Sequence, residues 1–264
     1  MLINQLLCQS PGLLNLGRLP VRATFFTYSD EKTALAAAGT PDRGEFYTSL
    51  NGQWSFKYLE SPALLNENML SEDTAAWDKI AVPGAWTVQG YDKPHYTNVQ
   101  MPYKNMPPEV PQENPTGIYR RDFELENGWD SQRVILHFDG VESFFAVRIN
   151  GKDAGMAKDS RAAHEFDITN LCQTGSNSIT VTVVKWSDAN FIEDQDMFWH
   201  GGIIRDVYLM RRPQNHLFDI FACATLQSDC RTGELSIKAA AHLAERPAAN
   251  APWKVRAKTS NNGK

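Results

Sequence analysis

Along most of this chain apolar residues recur at every second position, not at every third or fourth. RVILHF (residues 133–138) sets Val134, Leu136 and Phe138 on one face of an extended segment. FFAVRING (144–151) aligns Phe145, Val147 and Ile149, then reaches Asn150-Gly151, a pair that tolerates the positive φ of a tight hairpin turn. NSITVTVVKW (177–186) opposes Ile179, Val181 and Val183 to Ser178, Thr180 and Thr182, and IIRDVYLM (203–210) reads as a further strand. Short alternating runs divided by Gly, Asn and Asp predict an all-β antiparallel sandwich, not a βαβ sheet. The best helical stretch is SDEKTALAAAG (29–39), with Ser29 or Asp30 as its cap and Gly39 as its stop.

Two regions break the alternation. Between Pro94 and Pro115 lie six of the chain's 14 prolines, which excludes a helix or an interior strand. A structureless connection longer than about 15 residues is usually functional or disordered. Tyr96, Met101, Tyr103 and Met106 predict that this one packs onto something. Beyond RRPQN (211–215) only FDIFACATL, ELSIKAAAHL and WKVRAKT read as strands. Two or three strands cannot bury a core alone, and a sandwich of immunoglobulin type needs about seven. The second domain is therefore expected to be unfinished, and the chain to be part of something longer.

Composition narrows the classes. The 264 residues are 42% apolar and 22% charged, as in ordinary globular domains. A net charge of −5 provides no basic footprint for nucleic acid or an anionic membrane. No apolar run reaches the roughly 18 residues of a membrane span, and the opening MLINQLLCQSPG lacks the basic start of a signal peptide. Cys8, Cys172, Cys223 and Cys230 lack C-x-x-C spacing, which argues against zinc. Cys223 and Cys230 could flank a hairpin; isolated thiols in a reducing cytoplasm are the expectation.

The chemistry concentrates in EDQDMFWHGG (193–202). Asp194 and Asp196, two apart in an extended chain, would point the same way about 6.6 Å apart. Glycoside hydrolysis needs carboxyl groups about 5–9.5 Å apart on opposite sides of a sugar, so a catalytic pair here has the wrong geometry. The run lacks the residue order of a calcium loop, which leaves one carboxylate of a shared hard-cation site as the metal reading. Glu193, Asp194 and Asp196 could also form a solvated turn. Against that, Met197, Phe198 and Trp199 border the carboxylates with apolar surface, the makeup of a polar ligand pocket. His200 reads as a structural hydrogen-bonding group. In HYTN (95–98), Asn98 offers both donor and acceptor but is also a routine turn former. Trp54, Trp77 and Trp86 read as core.

At this point the sequence resembles a known family. WSDANFIEDQDMFWHGGIIRDVYL (186–209) is similar to the segment of glycoside hydrolase family 2 β-galactosidases that reads W-S-D-x-x-x-x-E-D-Q-D-M-W-x-x-x-G-I-x-R-D-V. NGQWSFKY, ENPTGIYRRDF, FDGVESFFAVRINGK and KDSRAAHEFDIT match in order, and GRLPVRATFFTY resembles the family's amino-terminal arm. The likeness runs from about Arg18 to Asp219. It implies an arm over residues 1–45, a jelly-roll sugar-binding domain over 46–212, and from 213 to 264 the start of an immunoglobulin-like domain. In the family a TIM barrel carries the acid/base and nucleophile glutamates, and no part of that barrel lies in these residues. Retaining hydrolysis needs both carboxyls, so the chain alone is expected to be inactive.

The resemblance assigns Asn98 to substrate contact, and Asp196 to a galactose hydroxyl and an active-site sodium ion. Sodium and magnesium are implied for the full-length enzyme, with none held by this chain alone. A β-galactoside, the missing barrel and further copies of the enzyme are the implied partners, with neither nucleic acid nor membrane. Galactose is favoured over the glucuronidase and mannosidase branches because of EDQDM. A free-standing carbohydrate-binding module and a complementation partner of a separate catalytic chain are the competing readings. Two positions depart from the family: Phe198 where Trp is common, and Gly201 where Ser or Ala is common. The expected effects are loss of an indole donor at 198 and added backbone freedom at 201.

Overall fold

The computed structural model describes residues 5–129, 131–245 and 254–257. Its strands run, in chain order, β1 (Asn15–Leu16), β2 (Tyr47–Ser49), β3 (Gly52–Leu59), β4 (Asp78–Val82), β5 (His95–Thr97) and β6 (Thr116–Leu125). Then come β7 (Arg133–Phe138), β8 (Val141–Glu142), β9 (Phe144–Ile149), β10 (Lys152–Ala157), β11 (His164–Asp167) and β12 (Gly175–Val184). The last are β13 (Met197–Trp199), β14 (Gly202–Ile203), β15 (Val207–Arg212), β16 (His216–Leu226) and β17 (Gly233–His242). Two α-helical stretches join them, α1 (Glu31–Ala37) and α2 (Asn190–Glu193). The chain divides into two compact units, one of Met1–Val21 with Phe26–Arg211 and one of Arg22–Phe25 with Arg212–Lys264.

The first unit is the expected antiparallel sandwich. A seven-stranded sheet ordered β1-β10-β9-β12-β6-β3-β4 lies against a four-stranded sheet ordered β11-β7-β15-β2. One core cluster joins them: Val147, Ile149, Ile179 and Val181 from the larger sheet meet Leu136, Phe138, Phe166 and Leu209 from the smaller. These are the residues that period-two alternation sets inward. Local signals also hold. Asp30 caps α1 by accepting from the Thr33 amide at 2.8 Å, and Gly39 follows at φ +76°. Asn150 (φ +50°) and Gly151 (φ +76°) turn β9 into β10.

The face of β12 that alternation sets opposite the apolar one is covered as well: Thr180 and Thr182 are buried. The amino-terminal segment lays Cys8, Leu7 and Leu13 over Phe144, Met156 and Val184, and Leu70 covers Ile118 and Leu59. The run read as one strand, IIRDVYLM, is interrupted after Ile203, and its halves pair in different sheets. Trp54 and Trp86 are core residues, but Trp77 is only half-buried, with the Arg120 guanidinium 5.2 Å from its ring.

In the second unit β16 and β17 form a two-stranded antiparallel ribbon with a register shift between Leu217 and Asp219. Phe221, Leu226, Leu235 and Ile237 are exposed on it, as befits a ribbon that has only two strands among the described residues. Of the WKVRAKT run only residues 254–257 are described, and they form no strand.

Candidate functional site

The proline-rich segment and the EDQDM run, far apart in sequence, meet as a two-stranded ribbon. β5 pairs antiparallel with β13 in the register Met197↔Thr97, Phe198↔Tyr96 and Trp199↔His95. Asn98 and Asp196 each stand one residue beyond the Thr97–Met197 rung, at the same end of the ribbon. Alternation then splits the ribbon into two faces. On the inner face Trp199 is fully buried, its indole Nε1 donates to Thr97 Oγ1 at 2.6 Å, and its ring meets Trp186 at 5.6 Å. On the outer face Tyr96 and Phe198 are 57% and 54% exposed with ring centroids 5.2 Å apart. Tyr96 Oη donates to Asp196 Oδ1 at 2.7 Å. The carboxylate that accepts this bond holds the Tyr96 phenol above its ordinary range. The two sequence-predicted residues thus stand at the end of a ribbon whose outer face carries an exposed aromatic pair.

The remaining carboxylates of the run have other tasks. The extended spacing assumed from sequence for Asp194 and Asp196 does not occur: Glu193 ends the helical turn α2, Asp194 is extended, and the chain then bends at Gln195 and Asp196 before entering β13. Glu193 Oε1 accepts from the Ser160 amide at 2.9 Å and Oε2 from Ser160 Oγ at 2.6 Å. Burial raises its carboxyl above the ordinary range, against the lowering effect of those bonds. It is a brace, not a solvated turn. Asp194 is half-buried, with one oxygen lacking a hydrogen-bond donor, and only Asp196 of the three reaches the outer face with Tyr96. His200 is structural, as read: its Nδ1 lies 2.6 Å from Thr87 Oγ1, and its amide donates to buried Glu142 at 3.0 Å.

The base of the loop is tied down by buried polar groups. Asn190 Oδ1 accepts from the Ser187 amide at 2.6 Å, and Lys158 pairs with Asp188 at 2.7 Å, both almost fully buried. Lys185, fully buried, contacts Asp92, the Lys93 carbonyl at 3.0 Å and His95 Nδ1 at 3.2 Å. Burial lowers the Lys185 ammonium below its ordinary range, and Asp92 opposes that shift. The packing expected of the proline-rich segment is half met: Met101 and Tyr103 pack against Val110, Trp186 and Trp199, whereas Tyr96 and Met106 are exposed. After Asn98, Val99 takes φ +50°, a conformation that costs a β-branched residue on the order of 1–3 kcal/mol.

The sequence missed Tyr96 and Lys185. Tyr96 stands two residues before Asn98 and therefore shares its face, a period-two signal that would have found it. Lys185 had no local signal. Among the described residues no group of three or more His, Cys, Asp or Glu could hold a metal ion. A cleft of about 480 Å³, lined by Leu14, Arg18, Ile192 and Glu193 among others, includes neither Asn98 nor Asp196. No helix of the described residues is long and apolar enough to cross a membrane.

Comparison with known proteins gives this geometry a context. Residues 47–213 match the family model described as glycosyl hydrolases family 2, sugar binding domain. A β-galactosidase of Pectobacterium atrosepticum is 40% identical over 245 residues, which is 92% of this chain and 23% of that protein. One of Alteromonas mediterranea is 42% identical over 194 residues, 72% of this chain and 19% of that protein. The chain thus spans about a fifth of the length of these relatives. The crystal structure of Bacteroides uniformis β-glucuronidase superposes with a TM-score of 0.56 at 26% identity, covering 72% of this chain and 21% of that one. An uncultured Clostridium sp. β-glucuronidase at 19% identity shares the fold, with a TM-score of 0.54 over 76% of this chain and 34% of its own. A matched domain that contains the whole ribbon, and identity near 40% across most of the length, place this chain in glycoside hydrolase family 2.

Proposed function

We propose that this chain is the amino-terminal portion of a retaining β-galactosidase that hydrolyses terminal β-D-galactosides. In this reading Asn98 and Asp196 form one edge of a pocket whose catalytic carboxyls come from a barrel outside these residues. The observation that carries it is the β5–β13 register, which sets both residues at one end of a ribbon beside exposed Tyr96 and Phe198. An amide and a carboxylate can grip neighbouring hydroxyls, while the aromatic pair supplies apolar surface for the C–H face of a sugar. Two β-galactosidases near 40% identity favour galactose over glucuronate.

Asp196 is also proposed as one ligand of sodium. A single carboxylate, with a phenol already on one oxygen, falls short of the six or so oxygens a hard cation gathers, so the other donors would come from the barrel. Magnesium, self-association and a cytoplasmic location belong to the same proposal, and four unpaired thiols suit a reducing compartment.

The test is hydrolysis of o-nitrophenyl β-D-galactoside by the purified chain, alone and mixed with a family 2 β-galactosidase lacking the region this chain matches. The chain should be inactive alone and active in the mixture. Asp196→Ala should then lower kcat/KM by about 10- to 100-fold, the effect of losing a hydrogen bond to a charged group. Turnover by the isolated chain, free of host enzyme, would overturn the proposal and return attention to Glu193, Asp194 and Asp196.

A further inference from the structure

We propose that Lys185 is a positioning residue for this site: its buried ammonium clamps the turn that delivers β5, and with it Tyr96 and Asn98, to the outer face. The inference rests on the reading of Asn98 as a substrate contact. Lys185 directly follows β12 and is anchored to the sandwich by its amide, which donates to the Pro115 carbonyl at 2.9 Å. An ammonium carries three donors and no acceptor. The three acceptors here are Asp92 Oδ2, the Lys93 carbonyl and His95 Nδ1, all within one four-residue stretch. Every donor is therefore spent on the approach to β5.

The cost of burying a charge is the second part of the argument. A buried ammonium is unfavourable unless its geometry and hydrogen bonds are complete, and an apolar residue of similar volume often serves stability as well. A core lysine completed only by residues 92–95 therefore signals a demand on where those residues stand. A three-residue strand in a two-stranded ribbon does not hold itself in place. The neighbouring Trp186 serves the same end. Lys185 Nζ lies 4.9 Å from the Trp186 ring centroid, and that ring contacts His95 at 5.9 Å and Trp199 at 5.6 Å. The pair Lys185–Trp186 thus secures both strands of the ribbon from beneath, without touching the outer face.

Hydrogen exchange of the purified chain, read by mass spectrometry, tests the clamp without any sugar. Amides of residues 92–99 should exchange at least about tenfold faster in Lys185→Met and Asp92→Asn, but near the wild-type rate in Lys185→Arg, with β9 and β12 unchanged in all. Should Lys185→Met fail to fold, Asp92→Asn, at a partly exposed position, carries the same readout. Equal exchange in every variant, or a uniform rise throughout the first unit, would overturn the clamp. The positioning role is read in the reconstituted enzyme, where Asp92→Asn should raise KM about tenfold with kcat held within about twofold; general destabilisation would instead reduce the amount of active enzyme. Asn98→Ala is the control. If it raises KM while Asp92→Asn does not, positioning is refuted; if it leaves KM unchanged, the reading of Asn98 fails and the clamp is judged by exchange alone.

Discussion

A single methyl group at position 201 would collide with an indole. A Cβ built on Gly201 falls 2.3 Å from Trp86 Cζ2, and Trp86 is fully buried against Phe56 and Tyr58. The glycine is therefore required by close packing, and the backbone freedom inferred from sequence is not the reason for it. The Trp86 amide donates to the Gly201 carbonyl at 2.9 Å, so the two segments are fastened where they touch most closely. Gly201→Ala should destabilise the chain by about 1–3 kcal/mol, as overpacking of a dense core does, measurable as a lower urea midpoint with an unchanged m-value. Residue identity alone could not distinguish Glu193 from Asp196 either. The sequence shows a cluster of acids, and only the positions of Ser160 and Tyr96 assign one to bracing and the other to the outer face.

At the scale of elements, pairing between strands decides what ionises. His137 on β7 is buried between Glu165 on β11, at 2.9 Å, and Asp139, at 2.7 Å, and stacks on Tyr208 of β15 at 4.3 Å. Burial alone would lower its pKa, but the hydrogen bonds to Asp139 and Glu165 prevail and hold it above 6.5. A raised pKa means that the folded state binds the proton more tightly than the unfolded state. The stabilisation is thus complete below 6.5 and is lost as the pH rises through the folded value. His164 has the opposite sign: burial lowers it, so its contribution is lost toward acid. The Tm advantage of wild type over His137→Asn should therefore shrink as the pH is raised beyond 6.5. A constant difference across that range would mean that His137 acts only through packing. Strand existence was legible from alternation in β7, β9 and β12, because a period of two is a local property. Which faces are covered was not, since Thr180 and Thr182 of β12 are buried on a face whose neighbours Val184 and Ile118 pack against Cys8 and Leu70, residues distant in sequence.

For the whole molecule, the amino-terminal segment is part of the sandwich. Cys8 is fully buried and accepts from the Asp188 amide at 2.7 Å through its carbonyl, while Lys158 donates to the Ser10 carbonyl at 3.1 Å. Deleting residues 1–12 should uncover Phe144, Met156 and Val184 and strip Lys158 of a partner. A loss of about 3 kcal/mol or more is expected from the apolar burial alone, read by urea denaturation, with increased binding of a hydrophobic dye to the folded fraction. Burial pushes the Cys8 thiol up to about 12, so the same deletion removes a thiol that is inert in the folded chain.

The sequence by itself determined the all-β class, the hairpin at Asn150-Gly151, a helix start at Ser29 or Asp30, and the family likeness. Each of these depends on residues close together in the chain: alternation, turn chemistry, capping and contiguous motifs. Tertiary structure decided the rest. Tyr96 and Asp196 are 100 residues apart in sequence, and only the β5–β13 register brings them into contact. Lys185 reaches its partners from 90 or more residues away, and Gly201 acquires its meaning from an indole on another loop. Such features depend on which surfaces come together during folding, and that is set by the packing of the chain as a whole.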